Sequence, residues 1–500
     1  MDNIIAILKN LFLYDPQKPI EFIGGYFLFL FSFFVLIYST IQKNTTWKKW
    51  SLIIFSFFIY YKLTGLLCLL ILIPTVADFL LARQMAKTES ESQKKWFLYT
   101  ALLFSLGLLI YFKYTNFFIE IINGISGKSF QLLELVKVLG ISYFVFRSIS
   151  YILDVYHEKI DPTEKFSDYL LYMTFFPLII SGPITRAESF LPQIEEKNTI
   201  NKEQINQGIY LIFKGMIKKA IFADYLFLYV KSTFFPPDGY TGLENLVGIV
   251  CFTVHIYLNF SGYTDMVRGM AKILGFEIGI NFDEPFKAKS ITEFWRRWHI
   301  SLSEWLKDYL YFPLNYYFRR LKIYGAIVAL FITFFICGIW HGTTYSFVLF
   351  GALHGIALSW EFYLKNHLVK KVPSFNKISD KLQWFLTFTF ICLTFMSMYI
   401  DIDANTPITI SKAGGIIVKI FTEFDLSFIV LYFTEQYVFT AMFTLALILI
   451  FLNTKNKDQF RSWFESAPLY VKTILFIILV QLIVEMQSQN YVPFIYAKYG

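Results

Sequence analysis

The chain has 500 residues, of which 56% are hydrophobic, 20% aromatic and 16% charged, with a formal net charge of +8 and a mean hydropathy of +0.51. A soluble domain sets about a quarter of its residues as charged groups between its core and water, so this composition argues against a soluble globular protein and for one whose solvent is largely lipid. Lys and Arg sit in short patches between apolar stretches, without the dense basic run and interleaved aromatics that track a nucleic-acid backbone, so no nucleic-acid partner is expected. Cys68, Cys251, Cys337 and Cys392 lie scattered in apolar sequence with no CxxC pair, which reads as buried thiols rather than a disulfide framework or a zinc knuckle.

The N-terminus has Asp2, a lone Lys9 and Asp15-Pro16 but no small-residue cleavage site after a short apolar core, so no removable signal peptide is expected and the first span serves as its own anchor. Apolar windows follow near residues 20–41, 50–63, 65–82, 97–118, 132–156, 209–230, 244–262, 325–341, 343–363, 383–400, 427–452 and 470–487. About 20 apolar residues cover a hydrocarbon core of about 30 Å, so roughly a dozen crossings are predicted, some of them half-spans. The runs are long and continuously apolar, which predicts helices and not a barrel. The expected fold class is therefore all-α, a polytopic transmembrane helical bundle.

Basic residues in short loops mark the cytoplasmic side. This places Lys43/Lys48/Lys49, Arg83/Lys87/Lys94/Lys95, Lys365/Lys370/Lys371/Lys377/Lys381 and Lys455/Lys457/Arg461 inside, and the loop with Asp401, Asp403 and Pro407 outside, with the C-terminus outside as well. The longest polar stretch, near residues 185–207, is too short to fold alone, and no internal repeat is evident, so residues 1–500 read as a single integral membrane domain.

Two stretches carry the chemistry. Lys287 to Phe312 is rich in charge yet set between apolar spans; Trp295, Trp298, Leu302, Trp305, Tyr309 and Phe312 recur at spacings of three and four, which predicts one helix with an aromatic stripe. Arg296, His299, Ser303 and Lys307 would share another face, beside Arg297, Glu304 and Asp308. Such a helix cannot cross lipid unaided; it lies in the interface or lines a polar cavity, unless its charges form only a solvated face with Arg and Trp as anchors. The second stretch is Gly338-Ile339-Trp340-His341-Gly342, an imidazole at membrane depth between small residues, followed by His354-Gly355. An intramembrane histidine is costly unless it meets water, substrate or a partner; for His354 a hydrogen-bonded packing role comes first. An imidazole takes a proton from a hydroxyl and returns it to a leaving group near neutral pH, as acyl transfer requires. There is no GxSxG elbow and no HExxH, and no metal site is expected, a shared site of His299 and His341 having no carboxylate motif beside it. Asp78, Arg147, Asp154, Asp224, His255, Asp265 and Arg268 also interrupt apolar sequence and read first as groups paired to hold helices together.

ITEFWRRWHISLSEWLKDYLYFPL from Ile291 to Leu314, followed by GIWHGTTYSFVLFGALHG from Gly338 to Gly355, resembles the paired signature of the membrane-bound O-acyltransferase family, most closely its bacterial branch of alginate and peptidoglycan O-acetyltransferases. Supporting segments occur in order: GLLIYFKYTNFF, LGISYFVFRSISYILDVY, TFFPLIISGPITR, FSGYTDMVRGMAKILGFEIGINFDEPFKAKS and a closing PFIYAKYG. The resemblance covers about residues 100–360 and the tail. It departs from the alginate type at Asn315-Tyr316-Tyr317, where a Gly-rich end is frequent, and at Lys307, where Arg is frequent.

The resemblance implies a ring of tilted helices around a central tunnel, with re-entrant or interfacial helices. It implies His341 as the essential catalytic group and His299 nearer the cytoplasmic mouth. Arg296, Arg297, Trp298, Ser303, Asp308 and Trp340 complete the candidate donor- and substrate-binding set, the guanidinium pair suiting phosphate. No bound cofactor is expected; acetyl-CoA or an acyl carrier thioester is the implied donor. Implied partners are membrane lipids, a polysaccharide acceptor and an extracytoplasmic esterase-like acyltransferase, and the implied location is the bacterial inner membrane. The alternatives are D-alanyl transfer to teichoic acid and, from a different class, a transporter or flippase for a polar or lipid-linked substrate.

Overall fold

In lipid every backbone N–H and C=O must find its partner within the chain, and the computed structural model answers this with helices almost throughout. It describes residues 11–16, 20–196, 201–234, 240–368, 379–399 and 408–487, and among these the one strand-like pairing is an isolated antiparallel bridge between Phe282 and Trp298. Lys370, Lys371, Lys377, the loop with Asp401, Asp403 and Pro407, and the closing PFIYAKYG lie outside the described residues.

The principal helices are α1 Gly25–Ile41, α2 Thr45–Thr64, α3 Leu72–Lys87, α4 Glu91–Leu109, α5 Thr115–Ser126, α6 Ile141–Tyr156, α7 Phe166–Thr174, α8 Ala187–Glu195, α9 Lys202–Met216, α10 Asp224–Phe234 and α11 Gly242–Ile273. They continue with α12 Ile291–Arg297, α13 Ile300–Leu306, α14 Phe312–Tyr317, α15 Ile323–His341, α16 Tyr345–Tyr363, α17 Asp380–Phe395, α18 Ile410–Thr422, α19 Phe428–Thr434, α20 Tyr437–Phe451, α21 Thr454–Ser466 and α22 Leu469–Gln487. Among the described residues seven helical stretches are long and apolar enough to cross a membrane, or eight if α19 and α20, bent by 95° at their junction, count as one broken span. This is a multi-pass membrane protein. The number falls below the dozen apolar windows because windows 50–63 and 65–82 belong to one helical stretch, Thr45–Lys87, window 20–41 yields only the short helix Gly25–Ile41, window 132–156 is helical only from Ile141, and window 209–230 is divided between Lys202–Met216, a wide turn and Asp224–Phe234.

The described residues group into two compact units, one comprising residues up to Ile212 with Met266–Gly279, the other Phe213–Asp265 with residues from Ile280 onward. In the first, two buried ionisable groups find hydrogen-bond partners within the unit. Arg147 on α6 donates to the carbonyls of Tyr172 and Met173 at 2.7 Å each, and Asp78 on α3 accepts from Ser148 at 2.5 Å and Tyr169 at 2.8 Å. Gly140, with φ +81, starts α6 where an added Cβ would lie 2.2 Å from the Ile179 carbonyl oxygen, so only glycine meets both the left-handed backbone and the close approach. In the second unit Asp224 is held by Lys219 at 2.6 Å and Asp265 by Lys218 at 2.7 Å and Lys214 at 3.2 Å. These are the structural pairings expected of ionisable groups inside an apolar bundle, and the four cysteines are likewise buried free thiols.

Candidate functional site

The site residues lie in the second unit, on α12 to α17. α15 and α16 pack as a close antiparallel pair because each brings glycines four apart to the contact: Gly338 on the first with Gly342 just past its end, Gly351 and Gly355 on the second. Lipid gives helices no hydrophobic reason to associate, so van der Waals contact at small residues is what holds such a pair. At Gly338 the contact is backbone on backbone. A Cβ at Gly338 would stand 2.5 Å from the Phe347 carbonyl oxygen and 2.6 Å from Gly351 Cα, and one at Gly342 would meet the Phe347 ring at 2.2 Å. His341 and His354 each sit between the two glycines of such a pair, so the same spacing that closes the helices fixes both imidazoles.

His341 ends α15 with its side chain buried, the residue 2% exposed, its ring 4.9 Å from Trp340 and 5.7 Å from Phe350. Phe350 in turn packs on His354 at 4.4 Å. His354 has a complete set of partners: Trp295 Nε1–H donates to its Nδ1 at 3.1 Å, which leaves the proton on Nε2 to be donated to Thr394 Oγ1 at 3.0 Å. The Thr394 hydroxyl in turn donates a hydrogen bond to the Phe390 carbonyl at 3.0 Å. This is a neutral packing histidine that fastens α12, α16 and α17 together.

The single helix expected over the charged stretch is not formed. α12 stops at Arg297, Trp298 and His299 leave the helical track, and α13 starts at Ile300, followed by a wide turn over Lys307–Tyr311 before α14. The physical reason is a competing pairing. Residues 281–283 run antiparallel to 297–300, with Asp283 N–H donating to the Arg297 carbonyl and Ile300 N–H to the Asn281 carbonyl, both at 3.0 Å. His299 takes φ +44 and ψ +53, a left-handed conformation that costs a side chain of this kind about 1–3 kcal/mol unless its surroundings dictate it. They do so here: Asn281 Oδ1 accepts from Ser301 N–H at 3.2 Å and from Ser301 Oγ at 2.6 Å, and Ser303 Oγ donates to the Trp298 carbonyl at 3.3 Å. The predicted face of Arg296, His299, Ser303 and Lys307 therefore does not exist as one surface.

The break turns His299 inward. Its ring is fully buried, edge-on to Phe260 at 4.8 Å and 6.2 Å from Trp340, so Trp340 stands between the two motif histidines. Burial holds the His299 imidazole far below its usual range, down to about 3, so the ring is neutral at physiological pH. Trp298 is buried against Phe294, Phe282 and Phe395 and serves as packing. Arg296 is exposed, whereas Arg297 is engaged by Glu293 at 2.9 Å and by the Asp283 carbonyl at 3.2 Å. Asp308 is half-buried, 4.0 Å from Lys307. The structure thus gathers His341, His299 and Trp340, gives Trp298 and Ser303 supporting roles around the break, and sets Arg296 apart at the surface. Among the described residues no cluster of three His, Cys, Asp or Glu side chains is suited to a metal ion.

Sequence reasoning missed Asn281, which holds the helix break at His299, and Thr394, which holds the packing histidine; a polar residue directly before the FDEPF turn was the available sign of the first. It also passed over Asn259, one helical turn after His255 in otherwise apolar sequence.

The sequence model of the MBOAT, membrane-bound O-acyltransferase family, matches residues 163–400, which contain all of these groups. Among curated proteins, the peptidoglycan O-acetyltransferase of Helicobacter pylori is 32% identical over 402 residues, covering 74% of this chain and 75% of the relative. The probable alginate O-acetylase AlgI of Pseudomonas aeruginosa is 34% identical over 312 residues, covering 62% of this chain and 58% of the relative. The teichoic acid D-alanyltransferase of Bacillus subtilis is 30% identical over 278 residues, covering 52% and 68%.

Proposed function

The chain belongs to the membrane-bound O-acyltransferase family and is an O-acyltransferase, and on that footing we propose that it passes an acetyl group from a cytosolic thioester donor, acetyl-CoA, towards the hydroxyls of a polysaccharide outside the cell. The reading rests above all on Trp340 standing between two buried histidines that the sequence holds on separate motifs. An imidazole shielded from bulk water suits a reaction whose thioester would otherwise be hydrolysed.

In the proposed step, His341 takes the proton of the acceptor hydroxyl as its oxygen attacks the thioester carbonyl carbon. The C–S bond breaks as the tetrahedral intermediate collapses, and the imidazolium returns the proton to the departing thiolate. Neutral His299 acts as a hydrogen-bonding group towards the donor, without adding charge. Exposed Arg296 is the guanidinium left for phosphate, since Arg297 is committed to Glu293 and Asp283.

An extracytoplasmic esterase-like partner and an inner-membrane location belong to the same proposal. The names of the relatives support a sugar polymer as final acceptor, the peptidoglycan and alginate acetylases being the ones that match at higher identity than the teichoic acid enzyme. Membrane vesicles offered labelled acetyl-CoA and, separately, labelled D-alanyl carrier protein decide the donor. Label leaving acetyl-CoA alone supports the reading; label leaving only the D-alanyl carrier, or a solute crossing with both donors intact, overturns it.

A further inference from the structure

α11 buries two polar side chains that the proposed reaction does not use. His255 and Asn259 lie one turn apart on the same face of this helix, and both are wholly buried. His255 Nδ1 lies 2.7 Å from the Ala223 carbonyl; a carbonyl only accepts, so Nδ1 carries the proton and Nε2 of the neutral ring presents a lone pair. Among the described residues Nε2 has no partner, and neither the oxygen nor the nitrogen of the Asn259 amide has one. Leaving a buried polar atom unsatisfied costs about 1–3 kcal/mol, and three such atoms on one turn of helix define a place that needs a ligand. The surroundings are aromatic. Phe227 and Phe252 pack on the His255 ring at 4.7 and 6.2 Å, and Phe260, the residue after Asn259, packs on His299 at 4.8 Å.

The atoms also select the chemistry. A carboxylate or phosphate would set a lone pair against the lone pair of Nε2. A carbonyl, as on an acetyl group, accepts from the Asn259 Nδ2–H but gives Nε2 and the Asn259 oxygen nothing. A hydroxyl donates to Nε2 while its oxygen accepts from Asn259 Nδ2–H, meeting two of the three atoms, and the second hydrogen of a water can serve the Asn259 oxygen as well. We infer that His255 and Asn259 form an internal site for a neutral hydroxyl, either the alcohol that receives the acyl group or a water held on the same path. The alcohol arm rests on the acyl-transfer reading; the site itself does not.

The test is a cryo-EM map of the full chain in lipid nanodiscs, with glycerol as the probe alcohol, for wild type, Asn259→Leu and His255→Phe, paired with acetyl transfer from acetyl-CoA to glycerol. Density bridging Nε2 and the Asn259 amide at about 3 Å from each, lost in both variants, supports the site. A KM for glycerol raised about tenfold, the scale of one lost buried hydrogen bond, identifies the occupant as the alcohol; an unchanged KM with the density lost identifies it as water. Absence of density in wild type overturns the inference. So do variants that are equally stable or more stable with density and KM unaltered, the behaviour of two redundant polar groups. Wild-type protein that consumes no acetyl-CoA defeats the acyl-transfer reading, while the map still decides the site.

Discussion

Replacing Gly338 with Ala adds one carbon where α15 and α16 touch. The new Cβ would lie 2.5 Å from the Phe347 carbonyl oxygen and 2.6 Å from both Gly351 Cα and Gly351 N, all backbone atoms, whereas ordinary contact starts at 3.4 Å. No rotamer relieves this, so the helices must part by roughly 0.9 Å, the difference between 3.4 and 2.5 Å. Overpacking of this kind costs about 1–3 kcal/mol. His341 lies less than one turn further along the displaced helix, and a misplacement of about 1 Å at reacting groups costs about a hundredfold in rate. Gly338→Ala should therefore reach the membrane, lose thermal stability and lose about two orders of magnitude of acetyl transfer. Gly414→Ala on α18, where nothing lies within 4 Å of the added carbon, should leave activity intact and gain about 0.5–1 kcal/mol from helix propensity. The assays are a detergent melting curve and label transfer in nanodiscs. A Gly338→Ala protein with wild-type stability and rate would refute the reasoning that the glycine contact positions His341.

The other predictions use the same two assays. Asn281→Ala removes the acceptor of Ser301 N–H and Oγ and so frees the left-handed turn at His299; activity should fall about tenfold for a loss of about 1–1.5 kcal/mol. Asn281→Asp keeps that oxygen and should restore most of the activity, and an Asp variant as poor as Ala would count against the positioning role. His354→Phe orphans the Trp295 indole N–H and should cost about 1–3 kcal/mol of stability while the remaining activity still depends on His341; full loss of activity at unchanged stability would mean that His354 takes part in the chemistry. Burial alone would raise the Glu284 carboxyl, but hydrogen bonds from Lys457 at 2.5 Å and Lys287, whose ammonium lies 2.9 Å away, outweigh it and hold the group below the usual carboxylate range. A depressed value means the contribution is complete above the unfolded pKa of about 4.3 and is lost as pH falls through the folded one. Melting temperature should then drop on acidification from about pH 5 downwards, and Glu284→Gln should flatten that drop; an unchanged acid profile in the variant would contradict the assignment.

Much of the architecture was legible because it depends on composition and spacing. Apolar windows announced helices in lipid, and the glycines beside His341 announced close approach, since both follow from local chemistry. The break at Trp298-His299 was hidden. The three- and four-residue spacing of Trp295, Trp298 and Leu302 is that of a helix, and only pairing with residues 281–283, a contact between segments distant in sequence, pulls His299 off it. Arg297 read as a phosphate ligand, but Glu293, one turn back on α12, and Asp283, brought in by the same folded segment, claim it. His354 and His341 looked alike in sequence, between paired glycines. They differ in what faces them, Trp295 and Thr394 completing one, and that difference arises from α12 and α17, not from the motif.

The central claim is that the buried imidazole at the end of α15 moves the proton in acyl transfer. Purified protein in nanodiscs, given acetyl-CoA labelled in the acetyl group, measures this directly as thioester consumption by wild type and by His341→Ala at matched expression and melting temperature. The account predicts consumption by the first and none above background by the second; equal consumption by both would contradict it.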